Sequence, residues 1–116
     1  IVVAKAQLAQ LNQQLRHTED LVRAEVQDSY SALERAHEFY QQTKKRVELA
    51  KVVASAEREQ LLLGRSDVLR VTLREQAAFE AEILEISAQQ DFFRAQAEFR
   101  ISLGLSALDE IVLESK

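Results

Sequence analysis

The sequence predicts an all-α fold, a long antiparallel coiled-coil hairpin of two helices with unequal arms. Three observations lead to this prediction. The 116 residues contain no proline and only two glycines, so little interrupts a helix. Apolar residues recur at seven-residue intervals, as in coiled coils. One of the two glycines, Gly64, separates two such patterns of different length.

The first helix is predicted over residues 1–63. Its apolar residues form two seven-residue series, and a four-residue offset between Val22 and Val26 joins them. Such an offset is a stutter, which locally relaxes a supercoil. The first series comprises Leu8, Leu15 and Val22, and the second comprises Val26, Leu33, Tyr40, Val47, Ala54 and Leu61. We therefore expect one continuous helix that packs along a single seam.

The hairpin tip is predicted at residues 64–66 and the second helix at residues 67–103. Either Ser66 or Asp67 can cap this helix. Its apolar residues form two seams that lie about 160° apart on a helical wheel. One seam holds Leu69, Gln76, Phe79, Ile83, Ile86 and Phe93, and the other holds Ala77, Ala81, Leu84, Ala88, Phe92, Ala95 and Phe99. The second helix is therefore expected to have neighbours on both flanks, and its alanines predict close helix packing.

Gly104 is predicted to end the second helix, because glycine is common just after a helix. Residues 104–116 then form a turn and a short helix. Ser106 with Asp109 three residues later resembles a capping box at the start of that helix.

Composition argues against several classes of function. The net charge of -4 offers no basic field for nucleic acid, and the absence of cysteine excludes thiol chemistry. The pair Glu34 and His37 has a spacing used in di-metal helical bundles, but such sites need the pair twice, and Gln14 precedes His17 instead. We find no set of nucleophile, base and orienting group. The sequence thus predicts no enzyme, no metal site and no cofactor.

No apolar stretch approaches the roughly 20 residues of a membrane-spanning helix. The chain contains no methionine, and we expect it to be a processed or excised piece of a larger protein. A targeting signal or membrane part would then lie outside it. Removed from its neighbours, such a hairpin exposes apolar seams and is expected to self-associate.

Three segments together carry a family resemblance: AEVQDSYSALERA at 24–36, LLLGRSDVLRV at 61–71 and QDFFRAQAEFRISLG at 90–104. In this order they resemble the repeat of the TolC-like outer-membrane efflux proteins, over nearly the whole chain. The resemblance implies a fragment of an α-helical barrel, formed by a homotrimer in the periplasmic portion of the outer-membrane protein. Family members are the exit duct of tripartite efflux pumps or type I secretion systems, and their hairpin tips contact a periplasmic adaptor protein.

The resemblance also implies which residues bind the adaptor. Leu63 and Gly64 match an apolar-glycine pair at the family's tip, and Leu69 and Val71 match apolar positions after the turn. The remaining candidates are chosen by location. The full partner-binding tip comprises Leu63, Gly64, Arg65, Ser66, Asp67 and Leu69.

The chain differs from the family at the positions that close the pore in some members. Members that close the pore with acidic residues carry them six and nine positions after the glycine, where this chain has Arg70 and Leu73. An acidic ring is not expected at those positions, although Asp67 supplies one negative charge nearby.

Two other functions fit the same helices. One is a freestanding structural coiled coil that dimerises into a four-helix bundle. The other is the α-hairpin of the adaptor itself, against which the helical tail SALDEIVLESK argues, because adaptor hairpins return into β-strands.

Overall fold

Two long helices make up the chain. The computed structural model describes residues 1–115, and at residues 105, 106, 109 and 113 it describes the backbone alone. Helix α1 spans Val2–Leu62 (61 residues), and helix α2 spans Val68–Glu114 (47 residues). The two helices are antiparallel and pack against each other, and residues 1–115 contain no strand. The predicted all-α hairpin with unequal arms is confirmed.

The hairpin divides into two compact units, each with one segment of either helix. The tip unit comprises Glu34–Arg94, and the terminal unit comprises Ile1–Leu33 with Ala95–Lys116.

The inner face of α1 follows the predicted second series. In the tip unit Val47 and Ala54 are buried, and Tyr40 and Leu61 are partly buried. The intervening inner positions carry small or short polar side chains, such as the buried Thr43, whose hydroxyl donates to the Tyr40 carbonyl oxygen at 2.7 Å. Because this bond satisfies the hydroxyl inside the helix, Thr43 packs against α2 without leaving a polar atom unpaired.

Most of the fully buried side chains on the inner face of α2 are small, and Val71 is the largest of them. Ala78, Ala81 and Ala88 are buried in the tip unit, and Ala95 is buried in the terminal unit. The predicted close packing through alanine is confirmed at Ala81, Ala88 and Ala95. It is wrong at Ala77, which is exposed while its neighbour Ala78 takes the inner position.

In the terminal unit, a pair of serines and a pair of aromatic rings join the two helices. The hydroxyls of Ser29 and Ser102 lie 2.8 Å apart, and the rings of Tyr30 and Phe99 lie 5.6 Å apart. The partner residue numbers sum to 131 for the serines and to 129 for the rings, and both helices rise by the same 1.5 Å per residue. The same register, continued along both helices, places Glu114, the last residue of α2, level with residues 15–17 of α1.

The start of α1 extends past the end of α2. Leu8 is 61% exposed and Leu15 is also exposed, so the expectation that both pack in a seam is wrong. The seven-residue pattern is present there, but no segment of α2 lies opposite Leu8 in this unit.

Helix α2 does not end at Gly104. It continues as one helix to Glu114, so the predicted turn and separate short helix at residues 104–116 are wrong. A glycine inside a helix costs only about 1 kcal/mol relative to alanine. Ser102 remains buried on the inner face just before it, so packing against α1 continues through this region. The side chains of Ser106 and Asp109, the proposed capping box, lie outside the described residues.

The predicted seam of α2 that begins at Leu69 faces away from α1. Its large apolar side chains are exposed in the tip unit, and they are Leu69, Phe79, Ile83, Ile86 and Phe93. The expectation that α2 has neighbours on both flanks stays a prediction, because α1 covers one apolar face and the other face is uncovered.

Candidate functional site

The hairpin tip comprises residues 63–67, and a glycine closes helix α1 there. Gly64 has a φ of 74°, in the left-handed region. Its N–H donates to the Leu61 carbonyl oxygen at 3.0 Å, and the Arg65 N–H donates to the Gln60 carbonyl oxygen at 2.8 Å. These two bonds form a Schellman motif, which satisfies carbonyl groups at the end of a helix. The chain therefore turns tightly at Gly64.

The need for glycine at position 64 comes from its φ. A Cβ added to Gly64 meets no atom within 4 Å, so side-chain crowding inside the hairpin does not exclude other residues. A residue with a Cβ is instead strained by the left-handed backbone, by roughly 1–2 kcal/mol. The open space also leaves the Gly64 backbone accessible to a partner that approaches the tip end-on.

Asp67 caps helix α2. Its Oδ1 accepts a hydrogen bond from the Arg70 N–H at 2.8 Å, as an N-cap side chain does with the third helical residue. Helix α2 consequently starts at Val68, one residue later than predicted. Ser66, the other candidate cap, donates from its hydroxyl to Glu57 Oε1 at 2.7 Å. This bond ties the tip to α1.

Apolar side chains surround the turn and are exposed. Leu63 and Leu69, both predicted in the tip, are 64% and 69% exposed. Two further residues were missed by the sequence analysis: Leu62 is 87% exposed, and Val68 is exposed to the same degree as Leu69. The run of three leucines before Gly64 could have indicated this exposure. Neighbouring helical residues point about 100° apart, so only Leu61 of the three lies on the inner face.

Charged side chains of both signs lie in and beside the tip. Between residues 60 and 74 the charged residues are three arginines, Arg65, Arg70 and Arg74, and one acid, Asp67. The Arg70 guanidinium lies 3.7 Å from the Asp67 carboxylate, so the one negative charge of the tip is partly neutralised. Glu57, Glu59 and Glu75 lie just outside this range, so positive and negative charges are equal in number from residue 57 to residue 75.

Two ion pairs brace the helices below the tip. Arg58 Nε lies 2.6 Å from Glu75 Oε1, and Lys51 Nζ lies 2.9 Å from Glu82 Oε1. The hydrogen bond and charge of Glu82 raise the pKa of Lys51 above its ordinary value of 10.5. All four side chains are well exposed, so these pairs contribute less to stability than the packing of the inner faces.

His37 packs against an aromatic ring of α2, away from the tip. The ring of His37 packs 5.3 Å from that of Phe92, and Gln41 Nε2 lies 3.5 Å from its Nε2. Within the part of the chain that the structure describes, no three histidine, aspartate or glutamate side chains are grouped so as to hold a metal ion.

Over the same residues, neither helix contains a stretch apolar enough to cross a membrane.

Comparison with known proteins adds no relative. No family model, no curated protein and no solved structure matches the chain.

Proposed function

We propose that this chain is the periplasmic helical hairpin of a TolC-like outer-membrane exit duct, in a tripartite efflux or type I secretion system. In this proposal the tip binds the periplasmic adaptor protein, and the full-length protein is a homotrimer whose helices form an α-helical barrel. The protein is a transport component and carries out no chemistry itself.

The observation that carries the proposal is the tip. Its backbone is fixed by the Schellman motif at Gly64 and the cap at Asp67, while Leu62, Leu63 and Leu69 stay exposed. Exposed leucines on a preorganised turn are costly to a protein unless a partner covers them. Preorganisation also lowers the entropy lost on binding, which favours a docking function.

The exposed leucines of the tip give the proposed adaptor surface its chemistry. Leu62, Leu63 and Leu69 favour an apolar socket. A gate that closes by a ring of acidic side chains is not part of the proposal, because Arg70 and Leu73 occupy the positions that such a gate requires.

A second candidate function is a freestanding structural coiled coil that dimerises into a four-helix bundle. The exposed outer face of α2 favours it, because a partner hairpin would bury that face. This candidate gives no reason for the exposed leucines of the tip, which lie at the end of the hairpin and outside a bundle core.

The test is a substitution at Gly64 in the full-length export protein. Gly64→Val places a β-branched residue in the left-handed region and forces the tip to rearrange. We expect export of the cargo to be lost while the helix content, measured by circular dichroism, is unchanged.

Gly64→Asn is the matched control, because asparagine adopts the left-handed conformation more readily than other residues with a side chain. We expect it to retain more export than Gly64→Val. Normal export by the Gly64→Val variant would rule out the tip as the docking surface.

A further inference from the structure

A group of aromatic rings joins the two helices in the tip unit. The rings of His37 and Phe92 lie 5.3 Å apart, and those of Tyr40 and Phe93 lie 5.9 and 6.0 Å from Phe92. Phe92 is partly buried, whereas His37 is exposed. We call these four residues the aromatic cluster. One member, His37, can gain a positive charge as the pH falls from about 8 to about 5.

The hydrogen bond of His37 describes its uncharged ring. Gln41 Nε2 lies 3.5 Å from His37 Nε2. An amide nitrogen only donates, so the ring nitrogen accepts and carries no proton. Protonation of Nε2 removes this acceptor, but the bond is already at the long limit of hydrogen-bond geometry. Gln41 is exposed, and its amide can turn to present an oxygen to the new N–H.

Phe92 is a favourable partner for the charged form of His37. The face of an aromatic ring carries partial negative charge and attracts a cation within about 6 Å of its centre. The 5.3 Å between the two ring centres lies inside this range. The same cluster holds another cation in this way, because Lys44 Nζ lies 4.3 Å from the centre of the Tyr40 ring.

The charges of α1 around His37 also favour its protonation. Within four positions of His37, the charged residues are Glu34, Arg35 and Glu38, which sum to one negative charge. Glu34 lies three positions before His37, on the same side of the helix. Lys44 opposes the new charge from seven positions away. Seven positions correspond to roughly 10 Å along the helix, about one Debye length, so this repulsion is weaker than the attraction from one turn away.

The charges that α2 brings near the aromatic cluster balance each other. Within four positions of Phe92, the charged residues are Asp91 and Arg94. The Arg94 guanidinium lies 3.9 Å from the Asp91 carboxylate. Helix α2 therefore acts on His37 mainly through the ring of Phe92.

We propose that His37 is a pH-sensitive contact between the two helices, which tightens when mild acid protonates the ring and adds a cation–π attraction to Phe92. The folded chain then binds this proton more tightly than the unfolded chain, so the free energy of unfolding rises as the pH falls. The contribution is complete at about pH 5 and is lost by about pH 8. The inference goes beyond the proposed function and does not rest on it.

Urea unfolding of the 116-residue chain at about pH 7.5 and about pH 5.5 tests the proposal. Carboxylates keep their charge over this interval, so the two histidines are the side chains that titrate. All samples have one chain concentration, because self-association changes the apparent stability. We expect the unfolding equilibrium constant to fall roughly two- to fivefold on acidification, as a cation–π contact at an exposed site predicts.

His37→Gln is expected to lose this pH dependence, because glutamine does not titrate. His17→Gln is the matched control, since His17 is the other histidine of the chain and is also exposed on α1. It is expected to keep the full two- to fivefold change. A hairpin that gains nothing in acid would overturn the proposal. A pH dependence that survives in His37→Gln or disappears in His17→Gln would do the same.

Phe92→Leu separates the ring from the neighbouring carboxylates. Leucine keeps most of the apolar bulk and removes the π face. Because Phe92 is partly buried, we expect lower stability at both pH values, together with loss of the gain in acid. An undiminished gain in acid would show that Glu34 and Glu38 alone attract the proton, and the contact with Phe92 would be rejected. A purely structural role of His37 predicts equal losses for His37→Gln at the two pH values, which would also reject the proposal.

Discussion

The two faces of α2 differ in a way that reverses the usual relation between size and burial. The inner face buries small side chains, with Ala88 only 1% exposed, while the outer face exposes phenylalanine and isoleucine. Small side chains let two helices approach closely, so the inner face gains contacts from backbone and neighbouring side chains. Phe92 and Phe99 contact aromatic rings of α1, but Phe79, Ile83, Ile86 and Phe93 face outward, where only another molecule can cover them. The comparison teaches that large apolar side chains on a long helix can mark the surface for a further partner.

The largest effect on stability is expected from enlarging the inner face. Ala88→Leu adds three carbon atoms between closely packed helices, and overpacking of this kind costs about 1–3 kcal/mol. The unfolding midpoint in urea should fall accordingly. Ser87→Leu is the control, because Ser87 is exposed and a surface change there stays within about 0.5 kcal/mol. Equal midpoints for the two variants would mean that the inner face is not closely packed.

The second largest effect on stability is expected from the cap at the start of α2, since both faces depend on this helix. Asp67→Ala removes the acceptor for the Arg70 N–H and should destabilise the hairpin by about 1 kcal/mol. Ser66→Ala removes a bond to Glu57 between partly exposed groups and should cost less. Chemical denaturation of both variants measures which loses more stability. A larger loss for Ser66→Ala would show that Asp67 is not the cap.

A glycine on the extension of the outer face allows a gain in stability. Gly104 lies inside α2, and an added Cβ meets no atom within 4 Å. Gly104→Ala is therefore expected to stabilise the chain by about 0.5–1 kcal/mol. A rise in the thermal midpoint would agree with a continuous helix. A loss of stability would indicate that the helix ends at Gly104 after all.

The smallest effect concerns the ion pair that lies between the two faces. Since Glu82 raises the pKa of Lys51 above 10.5, the pair stabilises the folded chain below pH 10.5 and its contribution is lost as the pH rises through the higher folded value. Lys51→Gln should therefore be slightly less stable than the parent chain near neutral pH and equally stable at strongly alkaline pH. A stability difference that persists at alkaline pH would point to packing of the lysine stem instead.

The sequence predicted the inner face of α1 well, because a seven-residue series from Val26 to Leu61 selects one side of a helix. It also predicted that α2 has two apolar sides. It misplaced Ala77, because adjacent alanines at positions 77 and 78 fit a helical seam almost equally. Only the partner helix decides which of them is buried.

Two other errors share a physical cause. Leu8 fits the apolar pattern but is exposed, and Gly104 fits a helix end but lies inside α2. Burial of Leu8 depends on how far the opposite helix reaches, and the fate of Gly104 depends on whether packing outweighs its poor helix propensity. The reach of the opposite helix and the strength of packing cannot be read from the residues near Leu8 or Gly104. At the tip, by contrast, the turn at Gly64 and the cap at Asp67 are local features, and the sequence located both to within a residue.

Photo-cross-linking from the tip tests the proposed function most directly. A photoreactive amino acid at Leu63 of the full-length protein, in cells that assemble the export system, is predicted to form a covalent adduct with the periplasmic adaptor. The same group at Gln42, an exposed position of α1 away from the tip, is predicted to form none. An adaptor adduct from Gln42 alone, or from neither position, would contradict the assignment of the tip as the docking surface.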